Sequence, residues 1–139
     1  MWKAFKELQS LGVVKDPLPR MVAAQSTGCA PVVKAFQGLS KTTDFFENSY
    51  TMALGLNVPG PLGGHWILDI LYDSNGIALD VPEKNLTKLT DEFNQLTLIN
   101  SGPEAGVVWG AYKTLKDIGW ILRDESVVLF ATGIERCKL

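Results

Sequence analysis

Five places along the chain carry residues whose types could do chemistry: Thr27-Gly28, the PGPLGG run at 59–64, His65, the pair Ser101 and Glu104, and Thr132-Gly133. Thr27-Gly28 stands just ahead of a helical stretch and could cradle an anion at its N-terminus. A strand-to-helix turn asks for the same two residues. PGPLGG is glycine-rich, but it lacks the spacing of a dinucleotide or P-loop fingerprint, and each proline removes an N–H that could hold phosphate. It reads as a turn. His65 is the single histidine of the chain, with no serine or cysteine partner in view; a surface or helix-capping role stands beside a catalytic one. Ser101 and Glu104 have the S-x-x-E spacing of a capping box, in which each side chain satisfies the other residue's backbone N–H. Thr132-Gly133 closes an apolar run, where open α/β sheets bind ligands beyond the carboxyl ends of their strands. A plain turn ends a strand in the same way.

These residues need elements to position them, and the hydrophobic pattern supplies candidates. Ala4, Phe5, Leu8 and Leu11 recur at spacings of three and four in MWKAFKELQSLG, which predicts an amphipathic helix stopped at Gly12. Nothing before Trp2 can act as its N-cap, so its first amides lack partners, and the element ahead of it is expected to be missing. RMVAAQ (20–25) reads as a strand and Pro31–Gln37 as a helix with proline at its first position. FFENSYTMALGL is open between helix and irregular structure. HWILDILYDS (65–74) predicts a helix ended by Asn75-Gly76, and GIALDV (76–81) a second buried strand. Leu86, Leu89, Phe93 and Leu96 mark a helix after Pro82; TLIN reads as a short strand. SGPE opens a last helix with Val107, Val108, Ala111, Leu115 and Ile118 on one side. SVVLFAT (126–132) is a continuous apolar run of the kind buried on both faces of a sheet. Helices alternating with apolar strands imply an α/β fold with a mostly parallel sheet flanked by helices.

Composition narrows the function. The 139 residues are 46% hydrophobic and 20% charged with a net charge of −2, ordinary for a globular domain and without a case for nucleic acid. Cys29 and Cys137 stand far apart with no CxxC, which argues against a zinc site or disulfide framework and for a reducing, cytoplasmic setting. No apolar run is long enough to span a bilayer, so no membrane partner is expected.

Taken in order, WKAFKELQSLG, RMVAAQSTGCAPVVKAF, ALGLNVPGPLG, NGIALDV, SGPEAGVVWGAYKTL and SVVLFATG resemble the C-terminal part of threonine synthase. That family comprises pyridoxal-phosphate enzymes of the tryptophan-synthase-β-like fold. The resemblance covers essentially the whole chain, and it makes residues 1–139 a single partial domain, the C-terminal part of the large domain. It implies that the first helix follows a glycine-rich phosphate loop, and that both this loop and the cofactor-linking (Schiff-base) lysine belong to earlier sequence. The intact relative would be a lyase of amino-acid biosynthesis, turning O-phosphohomoserine and water into threonine and phosphate, with pyridoxal phosphate as its cofactor. The chain alone is then expected to be inactive and to hold no cofactor. Its partners would be the missing N-terminal part or a self-associating copy, with a small amino-acid substrate in the intact enzyme. The resemblance places Thr132 at the pyridine nitrogen, Leu54 and Gly55 in a loop near the ring, and Glu104 in the loop beneath it. Two departures stand out. IERCKL follows Gly133 where the family continues with a small residue and glycine, and PLGGHW replaces a PLGD-like pattern. A cysteate synthase, an amino-acid dehydratase or a non-catalytic, ligand-binding remnant are the other readings.

Overall fold

The computed structural model describes residues 1–15 and 17–134; Cys137 and most of IERCKL lie outside the described residues. Two parallel strands, β1 (Val22–Ser26) and β2 (Ile77–Val81), pair in register from Val22 opposite Ile77 to Ser26 opposite Val81. Five helices flank them: α1 (Trp2–Ser10), α2 (Pro31–Gln37), α3 (Gly64–Asp73), α4 (Leu86–Thr97) and α5 (Pro103–Asp117). The chain is α/β, as its alternation of helices and apolar runs predicts.

Side chains alternate across the ladder, so successive strand residues serve different cores. Ala23 and Ala78 face a cluster built on α2 and α3 through Val32, Val33, Leu68 and Leu71. Ala24, Leu79 and Val81 face the other side, where Leu86 of α4 and Val107 and Ala111 of α5 are buried. Alanines at the middle of β1 let both helical layers approach the backbone closely. The N-terminus of α2 has no cap of its own; Gln25 on β1 supplies one, its Oε1 accepting from the amides of Val32 and Val33 at 2.9 and 3.1 Å. Asn75, at φ 51°, turns the chain from α3 into β2.

Four expectations are corrected. SVVLFAT forms no strand: residues 126–132 have no ladder partner among the described residues, and Val128 and Phe130 are exposed. An apolar run becomes a strand only where a neighbouring edge offers its hydrogen bonds. TLIN is not a strand either, because α4 runs through Thr97 and Leu98 caps it in the left-handed region at φ 58°. Leu96 and Ile118, assigned to buried faces, stand exposed at the last turns of their helices. In α1 the buried residue is Trp2, while Leu8 and Leu11 of the expected apolar face are exposed. FFENSYTMALGL resolves as irregular chain ending in the 3-10 turn Leu54–Leu56.

Trp2 explains how α1 is held. Its indole N–H donates to Asp73 Oδ2 at 2.9 Å, and Lys6 Nζ reaches the same oxygen at 2.8 Å, tying α1 to the end of α3. The Lys6 contact first, then the Trp2 bond, hold the Asp73 carboxyl below its ordinary range. A depressed carboxylate contributes above the usual carboxylate pKa and ceases to contribute as pH falls through its lowered value. The tether is therefore expected to loosen in acid: the Trp2 indole N–H resonance should move toward its free position well below neutral pH. An Asp73→Asn variant should show that shifted resonance already at neutral pH.

Candidate functional site

The first turn of α5 meets the 3-10 turn after residue 53 and the segment at 133–134, and three of the sequence-assigned residues lie there. Leu54 and Gly55 lie in the 3-10 turn Leu54–Leu56, seated on buried Ala53. Glu104 stands in the first turn of α5, where the helix dipole favours a negative charge. Its Oε1 accepts from the Gly55 amide at 2.9 Å. Its other oxygen lies against the backbone of Gly102 and Gly133, so close that a Cβ at those positions would sit 2.8 and 2.3 Å away. Residues 133–134 are fastened alongside: Gly102 N donates to Gly133 O at 3.1 Å, and Ser101 pairs antiparallel with Ile134. Thr132, next in line, is exposed, and its hydroxyl forms no hydrogen bond with the described residues. The structure thus brings Gly55, Glu104 and Gly133 together, with Thr132 one residue before Gly133 and Leu54 exposed beside Gly55.

The expected capping box does not form. Pro103 at the first helical position leaves Gly102 extended, at φ −80° and ψ −179°, and makes it the N-cap. That moves Ser101 outside the helix and Glu104 one position too early to reach back. Ser101 N instead donates to Asn94 Oδ1 at 2.9 Å, and Glu104 is released to grip Gly55.

Thr27-Gly28 is the strand-to-helix turn, and its polar groups serve the protein itself. Thr27 N donates to Val81 O and Gly28 N to Ser26 Oγ, while Thr27 Oγ1 accepts from the Glu83 amide. The negative group beside the turn is the protein's own Glu83: the Ser26 hydroxyl donates to Glu83 Oε2, and Met52 N donates to Oε1. Burial works against the Glu83 carboxylate, and the hydrogen bonds from Ser26, Met52 and Thr51 outweigh it, holding its pKa below the usual range. Sequence reasoning passed over Glu83. Its signal was position, an acid two residues past the carboxyl end of a parallel strand.

His65 is exposed and tilted against Trp66, centroids 4.8 Å apart; α3 has no side-chain cap, so the surface reading of this histidine holds. PGPLGG is a turn, closed by Gly64 N donating to Pro61 O. Cys29 is buried, and burial pushes its thiol up, which keeps it neutral and unreactive. Two surface hollows, of about 340 Å³ beside Tyr112, Lys116 and Arg123 and about 250 Å³ beside Lys34, Thr42 and Phe45, share no residue with the Glu104 region. Among the described residues there is no group of three or more His, Cys, Asp or Glu placed to hold a metal, and no helix long and apolar enough to cross a membrane.

No family model matches the chain. Among curated proteins it is 30% identical over 133 residues to the threonine synthase of Methanocaldococcus jannaschii, an alignment covering 96% of this chain and 33% of that protein. The threonine synthase of Methanosarcina acetivorans is 29% identical with the same coverage. The cysteate synthase of Methanococcoides burtonii is 27% identical over 132 residues, 95% of this chain and 32% of the relative. The chain spans about a third of the length of the curated relatives it matches.

Proposed function

We infer that this threonine-synthase-like segment forms the C-terminal part of a pyridoxal-phosphate enzyme that converts O-phosphohomoserine and water to threonine and phosphate. The observation that supports this reading is the convergence of Gly55, Glu104 and Gly133, because the sequence resemblance assigns the cofactor's surroundings to these same three stretches.

The residues present fit one end of the cofactor. The exposed Thr132 hydroxyl has no hydrogen-bond partner among the described residues and could bond a pyridine nitrogen; it is neutral at any working pH, so it does not enforce protonation there. Gly55 and Gly133 carry no Cβ, and the Glu104 carboxylate packs into the space on both backbones. The other end is not provided for among the described residues. There, Glu104 accepts one hydrogen bond, from an amide, and no described lysine or arginine joins it, Gly55 or Thr132 by a hydrogen bond or ion pair. The covalent link and the phosphate seat are therefore assigned to the rest of the enzyme, and the chain alone is inactive in this reading. The same partner accounts for exposed Leu62, Leu98 and Val128, which a single folded chain rarely leaves bare in such number. In its absence a second copy would cover them.

The test is a chimera in which this chain replaces the matching third of the Methanocaldococcus jannaschii threonine synthase. Cofactor binding and threonine formation are expected, and both are expected to weaken in Thr132→Val, which keeps the shape and removes a bond contributing about 0.5–1.5 kcal/mol. A folded chimera that binds cofactor but makes cysteate in place of threonine moves the substrate to the cysteate synthase side. A folded chimera that binds no cofactor overturns the reading.

A further inference from the structure

We propose that Glu83 is a positioning residue that, with Glu104, fixes the Met52–Gly55 loop by holding one backbone amide at each of its ends. The proposal rests on the reading that this loop faces the cofactor, and it concerns what keeps the loop in place. Glu83 Oε1 takes the Met52 amide and Glu104 Oε1 the Gly55 amide. Between them, Ala53 N donates to Thr51 Oγ1 at 3.2 Å and Leu54 N to Met52 O at 3.0 Å, so every amide of the loop is spoken for. The two carboxylates come from different parts of the fold. Glu104 rides on α5, whereas Glu83 follows β2 and is bound through its other oxygen to Ser26, the fully buried last residue of β1. Ser26 and Thr51 beside it are buried, so the Ser26 end of Glu83 is anchored inside the fold while its Met52 end reaches the surface, and a hydrogen bond to a carboxylate is stronger than a neutral one. The loop is thereby referenced to the strand ends on one side and to α5 on the other. Leu54 is left projecting outward, 64% exposed, on a backbone with no amide free to drift.

Residue-resolved hydrogen–deuterium exchange on the chain itself tests this, without cofactor. Glu83→Gln keeps the shape and removes the charge. Exchange at Met52 and its neighbours through Gly55 is expected to rise about ten- to a hundred-fold, the range set by losing a charged hydrogen bond. The Ile77 amide at the far end of the ladder and the Lys34 amide in α2 are expected to stay unchanged. A rise shared equally by Ile77 and Lys34 would mean that Glu83 serves overall stability alone, and it overturns the assignment, as does no rise at all. Ser26→Ala, which frees Oε2 while leaving the carboxylate in place, is expected to give a smaller rise at the same amides. If Glu83→Gln does not fold, an unmoved Met52 in Ser26→Ala decides against the proposal. Failure of the cofactor reading shows separately, in the chimera, and leaves these exchange results standing.

Discussion

Gly28→Ala is expected to cost the chain much of its stability. A Cβ at Gly28 would sit 1.8 Å from the Tyr50 carbonyl oxygen and 2.9 Å from its carbon, with Glu83 Oε2 at 3.4 Å. The obstacle is backbone, which has no rotamer to escape into. Nor can the Tyr50 peptide retreat freely, because its N–H donates to Gly28 O at 2.9 Å and the segments are drawn together at that point. Relief requires separating the 40–53 loop from the strand-to-helix turn, with loss of the hydrogen bonds that join them, Tyr50 N to Gly28 O and Met52 N to Glu83 Oε1. Overpacking of a tight site costs about 1–3 kcal/mol and occasionally more, and the lost bonds put this case at or above the upper end. Against a total stability of about 5–15 kcal/mol, the melting midpoint should fall by on the order of 10 °C. Gly133→Ala is the matched control. Its Cβ meets the carboxylate of Glu104 at 2.3 Å, the far end of a flexible side chain that can swing away. The control should lose the Gly55 contact and less than about 1.5 kcal/mol. Denaturant melts of the two variants side by side decide the matter, and equal losses would show that the Tyr50 contact is not the constraint.

That contrast also shows what a sequence can and cannot disclose. Helices α2, α3 and α4 and strand β2 were legible because each carries its own punctuation: Pro31, Asn75-Gly76 and Pro82 act within a few residues of the element they bound. The approach of Tyr50 to Gly28 was not, since a close contact between segments leaves no mark on either one. SVVLFAT misled for the opposite reason. Its composition suits a buried strand, but strand formation is a property of two segments, and no described edge accepts it. Glu104 was found through the wrong bond. The S-x-x-E spacing marked it as notable, yet Pro103 shifted the cap by one residue and sent its carboxylate to Gly55. Glu83 had no motif at all, and its importance lies in partners 31 and 57 residues away along the chain, Met52 and Ser26.

The isolated chain is expected to form no stable covalent complex with pyridoxal phosphate and no threonine. A specific link needs a lysine whose amine is held near the ring and made nucleophilic by a lowered pKa. Lysines with described partners are engaged elsewhere: Lys6 with Asp73, Lys113 with Glu92, Lys3 with Glu7. Charge argues the same way. A phosphate group carries about −1.5 to −2 at neutral pH. In the Glu104 region the neighbouring side-chain charge is that carboxylate, joined to no cation among the described residues, so phosphate is repelled where the ring end would be welcome. Free aldehyde will still react weakly with exposed surface lysines. Such adducts reverse on dialysis. The measurement is a visible spectrum of the chain mixed with cofactor, before and after dialysis, with borohydride reduction and peptide mapping of an undialysed sample. Label scattered thinly over several exposed lysines is the expected result. A saturable band that survives dialysis and maps to one lysine would place a complete cofactor site within this chain, and the assignment of the covalent link to the rest of the enzyme would be wrong.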